Sequence, residues 1–342
     1  MRENSTYKLR LGWANGIIIE LGKTMIFLDP QSSNFLGNHA FISHAHGDHT
    51  AGFNSEAKKY STAETLRLYE KGHNREVTKT QLTRHNETIE VNDVEVTAYN
   101  AGHMLGSTQF EFRTPNETIV YTGDINCVDT LTTNAAKSIE CDILIVEATY
   151  GNPAFVFPSR EIIYTEIAKW TVDQVRERKI PVFQVYPAGK AQEIIKLLNL
   201  FTEIPVVTHK LVTKISKVCQ EFGLTLEFVD ADTKEGEEKL ASGCCAYVTP
   251  TFATPKLSRK ISRAITTGWA IRFRPRTVSA AFPLSSHSDF KQLVNYVKES
   301  KPSMVYTCFG YEEALAEYLR KRCGVKSRPI PQFGQKPLQE FL

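Results

Sequence analysis

The chain has 342 residues, 42% of them hydrophobic and 23% charged, with a net charge of +3. Those proportions exclude a disordered or collagen-like chain and describe an ordinary globular protein, long enough for two domains or one domain with a large insertion. The charge is too small to mark a nucleic-acid binder by itself. No apolar run approaches the roughly 20 residues that span a bilayer, and MRENSTYKLR has no signal-peptide core, so no membrane partner is expected.

Residues 8–30 read as two strands, LRLGWANGIIIELG and TMIFLDP, whose β-branched runs are broken by the turn signals Asn15-Gly16 and Gly22-Lys23. Asp29 closes the second strand before a proline. It serves either as a turn or capping residue or as the carboxylate partner of a metal-bound imidazole. Next comes FISHAHGDHTAGF, residues 41–53. In an extended segment, side chains two apart point the same way, so His44 and His46 can grip one ion. Asp48 and His49, one turn later, can face a second ion beside it. Imidazole and carboxylate are the ligands that Zn²⁺ or Mn²⁺ takes when a coordination position stays open for water. The alternative is a solvated polar loop. With 9 His in the chain, this order arises by chance in on the order of one sequence in a thousand or fewer, which favours the metal site.

Residues 62–71 read as a short helix, and strands alternate over 87–99. In NAGHMLGSTQFEF, residues 100–112, His103 lies at a strand end between glycines that let backbone approach an ion closely. A lone histidine is more often packed or exposed, but this one is followed by TIVYTGDIN, a buried-type strand that delivers Asp124, a carboxylate able to bridge two cations. Strand CDILIVEATY then delivers Glu147. From 151 helix-period segments alternate with short apolar runs, which suggests an α/β module. A further ligand-type constellation appears in FPLSSHSDF, residues 282–290. A helix over 289–299, strand SMVYTCF, a helix over 312–322 and a Pro-rich tail complete the chain. The seven cysteines are odd in number and form no CxxC pair, so free thiols in a reducing interior are expected.

Five successive strand ends thus carry Asp29, the histidine cluster at 44–49, His103, Asp124 and Glu147. This order resembles the metallo-β-lactamase superfamily, which implies a four-layer α/β/β/α sandwich with a metal site at one edge of the two sheets. With residues 153–275 as an inserted α/β cap domain and 276–334 returning to the sandwich begun by 1–152, the chain resembles the β-CASP nucleases. TYGNPAFVFPSRE (149–161), VYPAGKAQE (185–193) and PLSSHSDF (283–290) are most similar to their DNA-processing branch, which includes Artemis and the interstrand-crosslink repair exonucleases.

The resemblance implies roles. His44, His46, His103 and Asp124 would hold a first metal, and Asp48, His49 and the bridging Asp124 a second. The ions would be zinc, with Mn²⁺ or Mg²⁺ as alternatives at the second site. Two ions about 3.5–4 Å apart clamp an attacked phosphoryl group. Asp48 would orient the attacking hydroxide. His287 would contact a phosphate oxygen or protonate the leaving 3′ oxygen, with Glu147 fixing its tautomer. The plainer reading of His287 is a loop residue beside an N-cap. Lys190 follows Gly189 at an expected helix start, where N–H groups favour anions; with Ser285 and Ser286 it forms a candidate 5′-phosphate pocket, unless it is simply an exposed lysine. The RNA-processing enzymes of this group carry another His at the end of the strand matching SMVYTCFG. Phe309 stands there, or Cys308 if the register slips by one. Phenylalanine cannot ligate, so a second ion would bind more weakly or depend on substrate; the DNA-processing branch also has an apolar residue there, so the resemblance favours DNA over RNA.

Two further segments bear on partners. Residues 256–276 contain Lys256, Arg259, Lys260, Arg263, Arg272, Arg274 and Arg276 with no acidic residue, and include Trp269 and Phe273. Such a stretch is either a solvated face or a track for a phosphate backbone with rings for bases. The tail at 335–342 resembles the sliding-clamp (PCNA) binding peptide, with Gln335, Leu338, Phe341 and Leu342 at the matching positions. The expectation is a 5′→3′ single-strand DNA exonuclease of repair or replication. It would be cytoplasmic in a prokaryote or nuclear in a eukaryote, with the compact length favouring an archaeon. The rivals are an RNA 5′ exonuclease or 3′-end endonuclease, a non-catalytic binder with a structural zinc, and a small-molecule hydrolase.

Overall fold

Asn15 and Gly16 both take positive φ, 53° and 132°. This is the backbone of a tight hairpin, whose twist matches that of its strands. The hairpin joins β1 (Leu9–Trp13) to β2 (Ile17–Leu21), and a second turn at Gly22 leads into β3 (Thr24–Leu28). The segment read as two strands is therefore three, because each turn signal ends a strand. The structure, a computed structural model, describes residues 9–35, 37–253 and 257–334.

β4 (His39–Phe41), β5 (Lys58–Thr62), helix α1 (Ala63–His73) and β6 (Thr80–Thr83) complete a first sheet in the order β1-β2-β3-β4-β5-β6. A second sheet takes β7 (Thr88–Val91), β8 (Val94–Asn100), β9 (Thr108–Arg113), β10 (Thr118–Tyr121) and β11 (Ile143–Ala148). Period-two alternation decides which face each residue serves. Phe41 points between the sheets, stacked on Tyr60 at 4.4 Å and edge-on to Phe110 and Phe112, while Ala40 and Ile42 point out towards Tyr69 of α1. On β11, Ile145 joins the same inter-sheet core, and Leu144 and Val146 face outwards.

The chain then leaves the sandwich. Helix α2 (Arg160–Arg176) leads into β12 (Ile180–Val185), α3 (Lys190–Phe201), β13 (Val206–Thr208), α4 (Lys210–Glu221), β14 (Val229–Asp230), α5 (Lys234–Ser242), β15 (Ala246–Pro250), β16 (Ile261–Thr266) and β17 (Ala280–Phe282). The six strands form a third, all-parallel sheet. Since β17 pairs with β16, this unit extends past the boundary expected at 275 and ends after residue 282. Three apolar residues of β17 and its flank (Ala280, Phe282, Leu284) pack into the core of the third sheet, although the strand is too short to show a period in the sequence.

Helix α6 (Phe290–Ser300), β18 (Met304–Gly310), α7 (Glu312–Cys323) and β19 (Ser327–Pro329) return to the second sheet. β18 lies parallel to β11, so the third-sheet unit is inserted between two neighbouring strands. Leu293, Val297, Leu315 and Leu319 from α6 and α7 cover the outer face of that sheet. With α1 on the other side, the sandwich has the four layers expected. The chain beyond β19 is tied to β1: Phe333 N–H donates to the Trp13 carbonyl at 2.9 Å and Trp13 N–H to that of Pro331 at 2.8 Å. The clamp-like peptide at 335–342 lies outside the described residues. All seven cysteines are free.

Phe41 joins both sheets, is fully buried and is ringed by three other aromatics. Phe41→Ala is expected to cost about 3–5 kcal/mol in denaturant unfolding, the range for an aromatic lost from a packed core. A loss under about 1 kcal/mol would mean that the two sheets are not packed through this ring.

Candidate metal centre

Every ligand-type side chain found in the sequence reaches one edge of the sandwich. His44, His46, Asp48 and His49 follow β4, His103 lies between β8 and β9, Asp124 follows β10, Glu147 sits on β11, and His287 precedes α6. His44 and His46 lie in an irregular loop rather than on an extended strand. Their rings stand edge to face at 82° and present different nitrogens. His44 Nε2 and His103 Nε2 each lie 3.1 Å from His46 Nδ1. Asp124 Oδ2 lies 3.3 Å from His44 Nε2 and 3.7 Å from His103 Nε2. Gly123 lets Asp124 approach this closely: a Cβ on it, at φ +55°, would fall 2.7 Å from Ser43 Cβ.

The outward nitrogens fix the protonation. His46 Nε2 lies 3.2 Å from the Ala188 carbonyl and His103 Nδ1 2.9 Å from that of Ser286, so both must carry the proton they donate. Burial presses both rings towards neutrality, helped for His46 by His44, which holds it near 3, and for His103 by His287. In neutral rings the inward His46 Nδ1 and His103 Nε2 are then lone pairs facing each other. Burial would raise Asp124, but His49, His287 and His44 keep it ionised. Facing lone pairs around a buried carboxylate repel unless a cation sits among them. Ligands about 2.0–2.1 Å from a tetrahedral ion lie about 3.3 Å apart, close to the separations here. His44, His46, His103 and Asp124 therefore fit a divalent cation such as zinc.

The second set is looser. His49 Nε2 is 3.6 Å from both Asp48 Oδ2 and Asp124 Oδ1, and the Asp48 side chain is 73% exposed at the cavity mouth. Asp29 orients this set. Its buried carboxylate, on a backbone at φ +44°, accepts from Ser43 N–H (2.7 Å), Ser43 Oγ (2.5 Å), His49 Nδ1 (2.8 Å) and Tyr121 Oη (2.6 Å). Ser43 Oγ in turn lies 2.9 Å from His44 Nδ1, so one carboxylate serves both sets. Burial lowers His49, but Asp124 and Asp29 outweigh it and raise it to about 10. Phe309 sits at a bulge opposite Glu147 and Ala148 with φ +59°, its ring 5.3 Å from His49. Cys308 instead points into the inter-sheet core.

Glu147, fully buried, accepts from Ile125 N–H at 2.9 Å and from His287 Nδ1 at 2.8 Å. His287 Nε2 is thereby aimed at Asp124, 3.8 Å away. His46, Asp48, His49, His103, Asp124 and His287 line a cavity of about 300 Å³, shared with Lys190, Ser285, Ser286, Tyr150, Tyr186, Trp269 and Phe309.

The candidate phosphate pocket is only partly as expected. Lys190 is 6% exposed, and its ammonium bonds Glu193 at 3.0 Å. Burial and Arg160 lower it to about 8 against the pull of Glu193. The helix-start N–H groups are already used, Gly189 by Gln192 Oε1 and Lys190 by the Ala188 carbonyl. Ser285 Oγ accepts from His287 N–H at 2.9 Å, and Ser286 lends its carbonyl to His103. Arg272 and Arg274 are exposed and lie outside the cavity lining, Arg274 donating to the Ser279 carbonyl. Sequence reasoning missed Arg160, which bonds Glu193 at 2.7 Å and the Ser285 carbonyl at 2.5 Å, and so braces the His287 loop. It also missed Tyr121. An arginine or tyrosine alone gives no signal; only the fold brings them here.

Purified protein is expected to carry at least one divalent ion per chain by elemental analysis, lost in His46→Ala. Asp29→Asn, which tolerates the left-handed backbone, should weaken metal affinity on the order of 10–100-fold. Metal content unchanged in His46→Ala would overturn the ligand set.

Residues 37–182 match the family model described as a β-lactamase superfamily domain. Among curated proteins, the chain is 27% identical to a probable DNA ligase of Opitutus terrae over 90% of its own length and 30% of that protein. It is 31% identical to an RNase J-like protein of Methanocaldococcus jannaschii over 32% of this chain and 28% of that one. It is 36% identical to Integrator complex subunit 11 of Danio rerio over 34% of this chain and 20% of the relative. The chain thus spans about a third or less of these relatives. A crystal structure of a protein of unknown function from Enterococcus faecalis superposes with a TM-score of 0.68 at 13% identity, covering 96% of this chain and 98% of that one. Over residues 37–182 the chain is similar to a β-lactamase superfamily domain, and its fold, shared with the Enterococcus faecalis protein, is an α/β sandwich.

Proposed function

We propose that this protein is a metal-dependent nuclease that hydrolyses phosphodiester bonds, acting 5′→3′ on single-stranded or frayed DNA ends. The observation that carries the proposal is His287, held by buried Glu147 and aimed into the same cavity as the ligand-type cluster. A divalent cation, which His44, His46, His103 and Asp124 would hold, would supply a Lewis acid and activate water at neutral pH.

The chain's own groups do the rest. Burial opposes a proton on His287, but Glu147 and Asp124 outweigh it and raise the imidazole to about 9. Nδ1 is committed to Glu147, so the proton on Nε2 can be given to a phosphoryl oxygen or to the leaving 3′ oxygen. Asp48, open at the cavity mouth, accepts a hydrogen bond from the attacking water and orients it. Asp48, His49 and Asp124 would hold a second ion, zinc or alternatively Mn²⁺ or Mg²⁺, once His49 Nε2 gives up its proton, and more weakly because Phe309 offers no ligand. Lys190, Ser285 and Ser286 receive the terminal 5′-phosphate, with Lys190 sharing its charge between Glu193 and the substrate.

Similarity to a protein named a probable DNA ligase supports DNA as substrate, as does Phe309. Similarity to a protein named RNase J-like supports the second reading, an RNA nuclease. Arg272, Arg274 and their basic neighbours would follow the phosphate backbone. The tail residues Gln335, Leu338, Phe341 and Leu342 would recruit a sliding clamp, which places the enzyme in replication or repair.

Matched 5′-phosphorylated DNA and RNA oligonucleotides with a 3′ label, incubated with Mg²⁺, Mn²⁺ or Zn²⁺, test this. A ladder shortening from the 5′ end on DNA is expected. Asp48→Ala and His287→Ala should each lower kcat at least on the order of 10²-fold while binding DNA as tightly as wild type; full turnover in either refutes its role. Removing 335–342 should abolish co-elution with a sliding clamp and leave oligonucleotide cleavage intact. Co-elution of the shortened protein would reject the tail assignment.

A further inference from the structure

Among the described residues, Tyr186 and Trp269 are large aromatics left 62% and 41% exposed, and both line the cavity. A continuous file of rings connects them. Centroid separations are 5.7 Å from Tyr186 to His46, 4.9 Å to His103, 4.5 Å to His287, 6.0 Å to Tyr150 and 5.0 Å to Trp269. The ligand-type histidines occupy the middle of the file, and the two exposed rings stand at its ends.

We propose that Tyr186 and Trp269 are stacking platforms for the nucleobases on either side of the bond being cut. This inference rests on the nuclease reading above. A scissile phosphate near Asp124 and His287 leaves its flanking nucleotides level with the two ends of the file. Each base has an apolar face that gains by covering an exposed ring.

The Trp269 ring is held in place before any ligand arrives, and the Tyr186 ring leans on His46 from a fixed backbone. Trp269 lies in a short 3-10 turn capped by Thr267 and rests on Tyr150 and Phe155. Gly268 permits that contact, since a Cβ there would meet the Tyr150 ring at 2.5 Å. Tyr186 lies between the end of β12 and α3, with its carbonyl bonded by Ala191 N–H. Pre-set rings lose little conformational freedom on binding. The segment carrying Trp269 also supplies charge complementarity. Residues 257–276 contain Arg259, Lys260, Arg263, Arg272, Arg274 and Arg276 and no carboxylate. Backbone-tracking cations interleaved with exposed rings form a surface suited to single strands and indifferent to sequence.

The test uses the whole protein and a 5′-phosphorylated single-stranded DNA, with and without abasic residues next to the scissile phosphate. Binding is read by anisotropy without divalent metal, and turnover with it. Tyr186→Ala and Trp269→Ala should each raise Kd on the order of tenfold, with the loss in turnover falling on KM rather than kcat. Tyr186→Phe and Trp269→Phe should restore wild-type binding. An abasic residue should weaken wild type and add nothing to the alanine variant of the ring it faced. Unchanged Kd in both alanine variants, or penalties that simply add, would overturn the stacking assignment. Tyr186 is mostly exposed, so its truncation leaves the fold intact. If Tyr186→Ala weakens binding but wild type cleaves nothing under any metal, stacking stands and the nuclease reading fails. If wild type cleaves and Kd is unchanged in both alanine variants, the nuclease reading stands and stacking fails.

Discussion

The crowding of lone pairs around Asp124 is the constraint that the rest of the site answers to. His46 Nδ1 lies 3.1 Å from two other imidazole nitrogens, with the Asp124 carboxylate 3.3 Å from one of them. Such an arrangement is unstable without positive charge at its centre, and the protein leaves little freedom to relieve it. The outward nitrogens are committed to Ser43, Ala188 and Ser286. Turning a ring would strand a buried N–H, at about 1–3 kcal/mol. The same hydrogen bonds that keep the rings in place also keep the lone pairs facing inward.

Asp29 shows how strained backbone and charge are combined. A non-glycine residue at φ +44° is disfavoured, yet here it gathers four donors onto one buried carboxylate. One is His49 itself, and the two from Ser43 lead on to His44; the fourth, Tyr121, comes from β10, whose end also delivers Asp124. The inter-sheet core and the site are thus not separate structures. Phe110, Phe112 and Phe41 pack between the two sheets, and β3, β4 and β10 of those sheets end at the site.

Much of this is legible in the sequence because strand ends are punctuated. Apolar alternation followed by a lone carboxylate or histidine marks the end of a strand, and Asp124 and Glu147 follow that rule. The four layers follow from the same periodicity. What is not legible depends on long-range contact. Asp29 has two readings until Tyr121, 92 residues away, donates to it. Lys190 reads as a free cation until Glu193 and Arg160 fold against it. The end of the insertion is misplaced because β17 has only three residues, too few to show a period. The geometry of His44 and His46 is expected from a strand, and a loop supplies it, since rings on a turn can offer Nε2 and Nδ1 to one point.

The insertion cannot be regarded as an accessory placed beside a finished site. Ala188, at the start of α3, accepts the proton of His46, and Ser286, just past β17, accepts that of His103. Arg160 on α2 grips the Ser285 carbonyl while its other nitrogen bonds Glu193 on α3. The sandwich alone therefore lacks the acceptor that holds His46 in its tautomer, and the loop that carries Ser286 and His287 is braced from the insertion by Arg160. The insertion meets the sandwich through α4, which packs on α1. Any motion that lifts the insertion away must also release His46 from Ala188, so access to the cavity and the hold on its centre are coupled.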